Sequence, residues 1–411
     1  MPSLVTVAIT IATLALFLKP VYDRAVTFGA FRSPTAIFHN AGAGDLRFID
    51  GADCEDLHLH ESGSIFTACQ GTQGTRAKWF PPLTNFDDPT SAGDGELRVI
   101  DPKTFTSRKL TLDGFDSFFC THGIDIIEDP KSSRAIYIHA VNHAPSDEFM
   151  QSRNASLPAE RKADSRIEIF HHVVGSDKAT HVRTVRHGLI QTPNDLLATG
   201  PTSFFVTNDH FYREGAMRKI EDFATRALAP WSNTLHVVSN AKESGYDGVD
   251  AVHALTGLHN NNGIGRRPGG IVVCDTSGGV AYLAHVEGRS IKLDEQIAYQ
   301  STIDNPSWFT DKYPGDNDRS GIVQAGLARA ITVHEDVHGG KGIPPIVWLS
   351  SGAPGKGWNT SLLFTDDGQS LSSSSAAILI SIDPATTDKK QAWLFVSGFG
   401  SRRVVATKVD L

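Results

Sequence analysis

Ala135-Ile136-Tyr137-Ile138-His139-Ala140-Val141 is the kind of stretch whose reading decides the fold. It is short and rich in β-branched and aromatic residues, which is the composition of a strand. Runs like it recur from about residue 40 to the end. They include Ser64 to Cys69, Glu96 to Pro102, Gly123 to Ile127, Arg166 to Val173, Ser203 to Asn208 and Thr234 to Ser239. Gly270 to Asp275, Val280 to Val286, Ile346 to Leu349, Ala377 to Ile382, Ala392 to Ser397 and Val404 to Val409 continue the series. Gly, Asp, Asn or Pro flank many of them, and no run of helices alternates with them. That argues against βαβ units and for an all-β fold. A closed sandwich of this length would be unusual, so radial repetition in a β-propeller fits better. No strict repeat such as Trp-Asp marks the blades, so periodicity alone leaves their number open.

The whole-chain arithmetic agrees. Of 411 residues, 40% are hydrophobic, 37 are Gly and 20 are Pro, enough for a large core broken by many turns. Acidic residues exceed basic ones, 46 to 38, and no basic run appears. A nucleic-acid partner, which needs a phosphate-neutralising surface, is therefore not expected.

Two regions depart from the strand pattern. Met1 to Leu18 carries no charged side chain. It is short for a spanning helix of ~20 residues but suits a signal-peptide core. Lys19-Pro20 ends the apolar run, and no small-x-small cleavage pattern follows closely. Residues 1–20 are read as a signal or anchor segment and residues 21–411 as one propeller domain. The segment implies a secretory route, with the protein secreted or held at a membrane by an uncleaved N-terminus. The sequons Asn154-Ala155-Ser156 and Asn359-Thr360-Ser361 suit that route. The second region, Glu214 to Leu228, has helical spacing. Met217, Ile220, Ala224, Ala227 and Leu228 are expected to pack on the propeller face. Ser146–Asp164 and Glu243–Asn262 read as polar loops on the functional rim.

Several familiar chemistries fail. His334-Glu335-Asp336-Val337-His338 matches H-E-x-x-H, which requires a helix. The preceding Ala330 to Val333 and the following Gly339-Gly340-Lys341-Gly342 are expected not to support one. Cys54, Cys69, Cys120 and Cys274 show no CxxC spacing, which leaves one or two disulfides open. Nucleophile elbows, phosphate loops, dinucleotide fingerprints and EF-hand spacings are absent from the sequence.

What remains are polar clusters far apart in the chain: Glu55-Asp56, Thr121-His122-Gly123-Ile124, Pro193-Asn194-Asp195, Asn261-Asn262-Gly263-Ile264 and Asp304-Asn305-Pro306. Any one of them reads as turn chemistry. In a propeller, however, inner strands converge on one axis. Together these side chains offer oxygen ligands, as a hard cation such as Ca²⁺ demands.

At these clusters the chain resembles the serum paraoxonase/arylesterase family of calcium-dependent lactonases. Glu55-Asp56 after Gly51-Ala52 matches the family's early Glu-Asp pair. Phe119 to Ile124 matches its Pro-His-Gly-Ile element, with Cys120-Thr121 in place of Asn-Pro. Ile138 to Pro145 looks like its Val-Asn-His-Pro strand. The longest match runs from Arg183 through Pro193-Asn194-Asp195 to Thr207-Asn208-Asp209-His210, and Ile303-Asp304-Asn305 resembles Val-Asp-Asn. The resemblance implies a six-bladed β-propeller with two Ca²⁺ ions in a central calcium-binding tunnel. A catalytic ion falls to Glu55, Asn194, Asn262, Asp304 and Asn305, with Asn260 and Asn261 competing for the place of Asn262. A structural ion falls to Asp56, Asp195 and the carbonyl of Ile124.

The activity implied is hydrolysis of esters and lactones. His122 is the expected general base, His143 its relay and Asp304 a competing base. Trp79 stands where the family has an active-site lid, and Phe211 and Tyr212 are expected to add apolar lining. The family's N- to C-terminal disulfide is missing, since Asn40 stands in the first region and Thr407 to Leu411 lack Cys. Ring closure is then expected to rest on strand pairing alone. Ser307 to Ser320 diverges from the family's pattern. Two other readings compete: a non-catalytic, calcium-stabilised propeller that binds a ligand or partner, and a propeller enzyme of the gluconolactonase or strictosidine-synthase type.

Overall fold

A strand with apolar side chains on both faces must be covered on both sides. In Ser203–Asn208, Phe204 and Val206 pack into one hydrophobic cluster while Phe205 packs into another. Repeated around the molecule, this alternation builds a ring of sheets standing face to face. The computed structural model describes residues 18–33, 38–39, 46–240, 244–387 and 389–411. Within them the strands form a six-bladed β-propeller.

The first strands of the blades are Ala52–Leu59, Thr121–Asp129, Pro193–Gly200, Asn261–Arg267, Pro306–Phe309 and Ala376–Ser381. Each touches the next, and the last touches the first, so they line the axis. Antiparallel strands then step outward in each blade. The sixth blade is completed from the other end of the chain. Arg47–Asp50 pairs with Arg403–Asp410 in the register Ile49↔Val404. Strand pairing thus closes the ring and shields its edges, as the missing terminal disulfide requires. Every interface between neighbouring blades has its own buried apolar cluster.

Four expectations need correction. The helix after residue 214 spans only Gly215–Phe223, and it is turned over: Arg218 and Glu221 are buried while Met217, Ile220 and Leu228 are exposed. Glu221 accepts hydrogen bonds from the backbone N–H groups of Phe211 and Tyr212, and Arg218 donates to Asp222 and to the Pro82 carbonyl. Polar bonding outweighs the apolar spacing there. The H-E-x-x-H segment does form a helix, Val333–Gly339, following the 3-10 turn Ala330–Thr332. Gly340 ends it in the left-handed region, which glycine adopts without strain. The two supposed loops also carry structure: helices Asp147–Ser152 and Ala159–Lys162 in one, the outer strand Val249–Leu258 in the other.

Cys54 and Cys69 form a disulfide between neighbouring strands of the first blade, whereas Cys120 and Cys274 are free and buried. Both sequon asparagines are exposed. A helix over 18–27 runs through Lys19-Pro20, and among the described residues no helix is long and apolar enough to cross a membrane. The apolar run before Leu18 lies outside the described residues, as does Asn40.

Candidate metal centre and catalytic cavity

One local irregularity recurs at the start of four inner strands. In the second blade Thr121 pairs with Asn142, but the next pair is Ile124 with Ala140. The same one-residue slip separates Pro193 from Leu196 and Asn261 from Ile264, and a two-residue slip separates Ala52 from Asp56. Each is a β-bulge, which takes residues out of the ladder and re-aims their side chains. The displaced residues include Glu55, His122, Asn194 and Asn262. Glycine makes the convergence possible. A Cβ on Gly123 would lie 2.6 Å from the Asn194 carbonyl oxygen, and one on Gly263 would lie 2.6 Å from that of Asp304.

The expected ligands of the catalytic ion meet here. Asn305 Nδ2 donates to Glu55 Oε1 at 3.0 Å. Beside this pair, Glu55 Oε2, Asn194 Oδ1, Asn262 Oδ1, Asp304 Oδ1 and Asn305 Oδ1 are all buried without a hydrogen-bond donor. Buried oxygens are ordinarily satisfied, so five orphans in one place need a partner. All five are oxygen atoms, which suits Ca²⁺. The three neighbouring asparagines separate by their bonding. Asn260 Oδ1 accepts from the N–H and Oγ of Ser277, and Asn261 donates to Thr234 Oγ1 of the third blade. The side-chain oxygens of Asn261 and Asn262 are both unpaired, but of these two residues only Asn262 lines the cavity.

The electrostatics point the same way. Burial, then repulsion from Asp56, pushes the Glu55 carboxyl up to about 8. Burial, then Glu55, holds Asp304 well above the carboxylate range. A cation among these groups would reverse both shifts.

Asp56 and Asp195 lie deeper and differ in kind. Asp56 Oδ1 accepts from Leu57 N, and its Oδ2 accepts from Ile124 N and pairs with His58 Nε2. Asp195 accepts from Leu196 N and Ile264 N. Neither carboxylate has an orphaned oxygen.

His122 sits at the upper ring, 4% exposed, its Nε2 lying 3.4 Å from Asn194 Nδ2 and 3.9 Å from Glu55 Oε1. Its Nδ1 is 3.0 Å from His143 Nε2, and His143 Nδ1 is 2.9 Å from Ser165 Oγ. Burial, then Arg76, lowers His122 to about 3, and burial, then His122, holds His143 well below its ordinary value. Both rings are therefore neutral at pH 7. For Nε2 of His122 to be the free base, Nδ1 must hold the proton and donate it to His143. His143 then donates its own Nδ1 proton to Ser165. The three side chains then form one continuous hydrogen-bonded chain.

Above the ring is a cavity of about 170 Å³ walled by Phe28, Phe80, Leu83, Leu327, Ile331 and Phe399. A larger one, about 1020 Å³ and lined by Asp53, Arg76 and Lys341 among others, adjoins it across Leu83 and Phe399. Glu55, Asn194, Asn262 and Asp304 of the ring line the smaller cavity together with His122.

Trp79 is not a lid. It is 1% exposed, donates from Nε1 to the His143 carbonyl at 2.7 Å, and packs on Phe86 and Phe149. Its neighbour Phe80 takes the cavity position, edge-on to His122 with centroids 4.9 Å apart. Phe211 is half exposed, and neither it nor Tyr212 lines the cavity. Sequence reasoning also gave no role to Ser165, Asp209 or Arg76. Asp209 lies among the resembling residues and accepts from Asn194 Nδ2 at 3.3 Å. Arg76 sits over Phe80 and donates to the Thr121 carbonyl, and nothing in its sequence context marks it.

Comparison with known proteins adds an independent finding. The family model for arylesterases matches residues 80–256. Serum paraoxonase/arylesterase 2 of Gallus gallus is 26% identical over 216 residues, 52% of this chain and 50% of that protein. The Homo sapiens protein of the same name is 27% identical over 208 residues, half of each chain. The chain thus spans about half the length of the curated relatives it matches. The solved PQQ-bound aldose sugar dehydrogenase of Streptomyces coelicolor covers 91% of this chain and 99% of its own at 11% identity and a TM-score of 0.43. His122, His143, Asn194 and Asp195 fall inside the matched residues 80–256, while Glu55, Asn262, Asp304 and Asn305 lie outside them and reach the ring through the fold. Through residues 80–256, and more loosely over half its length, the chain is similar to the serum paraoxonase/arylesterase family.

Proposed function

We propose that the protein is a calcium-dependent hydrolase of carboxylic esters and lactones. The observation that carries this reading is the set of five buried, donorless oxygens beside a neutral imidazole under an apolar cavity. Glu55, Asn194, Asn262, Asp304 and Asn305 would hold the ion. Ca²⁺ bound there supplies a fixed positive charge that polarises a carbonyl and favours the oxyanion. The chain's residues do the rest. Phe28, Phe80, Leu83, Leu327, Ile331 and Phe399 take up the apolar acyl or aryl part of the substrate and exclude bulk water. His122 Nε2 removes a proton from the attacking water, and its Nδ1 proton is held by, or passed to, His143. Asp304 is the weaker choice of base, because its free oxygen belongs to the set the cation takes.

The apolar run before residue 18 and the exposed sequons support a secretory route, glycosylation, and membrane association through the N-terminal segment. The experiment is an assay of the purified protein on phenyl acetate and on simple γ- and δ-lactones, with and without a calcium chelator. Hydrolysis abolished by chelation and restored by Ca²⁺ is expected. Chelator-resistant turnover, or none on either substrate class, overturns the proposal.

A further inference from the structure

We infer that the Cys54–Cys69 disulfide is the brace that sets Glu55 in the ring, so that the chain binds calcium at full affinity only with this bond formed. The inference rests on the calcium reading of the ring and assigns positioning residues to it. The bulge that carries Glu55 is the longest of the four. Between the pairs Ala52↔Gln70 and Asp56↔Ala68, the three residues Asp53, Cys54 and Glu55 stand opposite the single residue Cys69. Two of the other bulges contain a glycine, Gly123 or Gly263, that fits closely against the neighbouring inner strand. In the third blade Thr207 stands opposite the bulge. Its Oγ1 accepts from Asp195 N at 3.0 Å and donates to the Asp195 carbonyl at 3.1 Å. The first bulge has neither device. There the residue opposite is joined covalently to the middle residue of the bulge.

The bulge needs that restraint. Asp53 holds φ at +48°, a left-handed conformation that a residue other than glycine keeps only when its surroundings impose it. Hydrogen bonds fix the two flanks. Asp53 N donates to the Ser401 carbonyl at 2.6 Å and Asp53 Oδ2 accepts from Gly74 N at 3.0 Å, while the Glu55 carbonyl accepts from Ser375 Oγ at 2.6 Å. Cys54, between them, is tied to the facing strand through its sulfur, and both cysteines are buried. Gly51 leaves room for the bond, since a Cβ there would lie 2.7 Å from Cys54 Sγ. Glu55 is the next residue along, so fixing Cys54 fixes the start of the Glu55 side chain to within one peptide unit. The brace also reaches toward the base, because the Cys69 carbonyl accepts from Thr121 Oγ1 at 3.1 Å, one residue before His122. Metal affinity follows ligand placement, and groups that orient a ligand are worth about 10- to 100-fold in it.

The test is a calcium titration of Cys54→Ala, Cys69→Ala and the double variant beside the unaltered protein, at a temperature where all are folded. Each variant is expected to bind calcium about 10- to 100-fold more weakly. The single variants and the double variant should lose the same factor, because one bond can be broken only once. Unchanged affinity with a lowered unfolding midpoint makes the bond merely structural and overturns the inference. Losses that add between the two single variants belong to packing and overturn it too. No calcium bound by the unaltered protein overturns the ring reading as well. If the variants do not fold, the unaltered protein decides. It is equilibrated with dithiothreitol, with and without saturating Ca²⁺, and its free thiols are blocked and counted by mass spectrometry. By reciprocity, calcium should shift the equilibrium toward the disulfide by the same factor of about 10 to 100. Equal reduction with and without calcium overturns the inference.

Discussion

Glu55 is a carboxylate in a place that penalises its charge: about 1% exposed, beside Asp56, and short of a donor on Oε2. Glu55→Gln removes the repulsion and one ligand together. The metal-free variant is expected to melt no lower than the metal-free wild type. Calcium at a hundredfold excess over Kd should stabilise the wild type by about 2.7 kcal/mol and the variant by a small fraction of that. Calorimetry with and without Ca²⁺ reads both outcomes, and equal calcium stabilisation of the two proteins would contradict the ligand role. His122 predicts the opposite split. His122→Gln should lower kcat about 10²- to 10⁴-fold, the usual worth of a general base, while calcium affinity measured by titration stays unchanged. Much of this was legible in the sequence, because Asn-Asp and His-Gly pairs at strand starts are chemically distinctive. Phe80 and Arg76 were not, because they come from a two-residue strand and a 3-10 turn outside the blades, where the only clue was the neighbouring aromatic, Trp79.

At the scale of elements, the bulges do the positioning and buried polar networks hold the blades that carry them. Glu168, on the third strand of the second blade, is fully buried and accepts from Arg166 Nε, Asn142 Nδ2, His181 Nε2 and Thr184 Oγ1. Burial would raise its carboxyl, but the His181 hydrogen bond, Arg166 and the other donors outweigh burial and hold it down at about 2. A depressed carboxyl stabilises the fold above its unfolded value near 4.5, and that contribution is lost as pH falls toward 2. Its ceiling is about 3 kcal/mol. Denaturant unfolding of Glu168→Gln should therefore show a clear deficit at pH 7 that narrows by pH 3, and a deficit independent of pH would contradict the assignment. The helix Gly215–Phe223 shows where element-level reading stops. Its apolar spacing was visible, but its packing was decided by carboxylate-to-backbone bonds that no periodicity records. The Cys54–Cys69 disulfide was likewise unreadable, since spacing alone cannot bring two strands together.

For the whole molecule, the central consequence of the ring is that residues 250 positions apart, Glu55 and Asn305, share a hydrogen bond. Convergence of strand ends on an axis was foreseeable from many short strands. The number of blades was not countable without a repeat motif, and the closing strand Arg47–Asp50 is too short and too polar to announce itself. Ile49 anchors that strand, 1% exposed, against Phe395, Val404 and Ala406. Ile49→Ala should cost about 2–5 kcal/mol by cavity formation, measured by denaturant unfolding. A loss below about 0.5 kcal/mol, the ordinary surface effect, would mean the closure does not hold the ring.

The account as a whole claims that one oxygen-lined ring holds the calcium on which ester and lactone hydrolysis depends. Titrating metal-free protein with Ca²⁺ while recording both binding and turnover of phenyl acetate and a γ-lactone tests this directly. The two curves are expected to coincide for both substrates, with activity rising in step with occupancy of the ring. Turnover already complete before calcium binds, or a saturated ring that hydrolyses neither substrate, would contradict it.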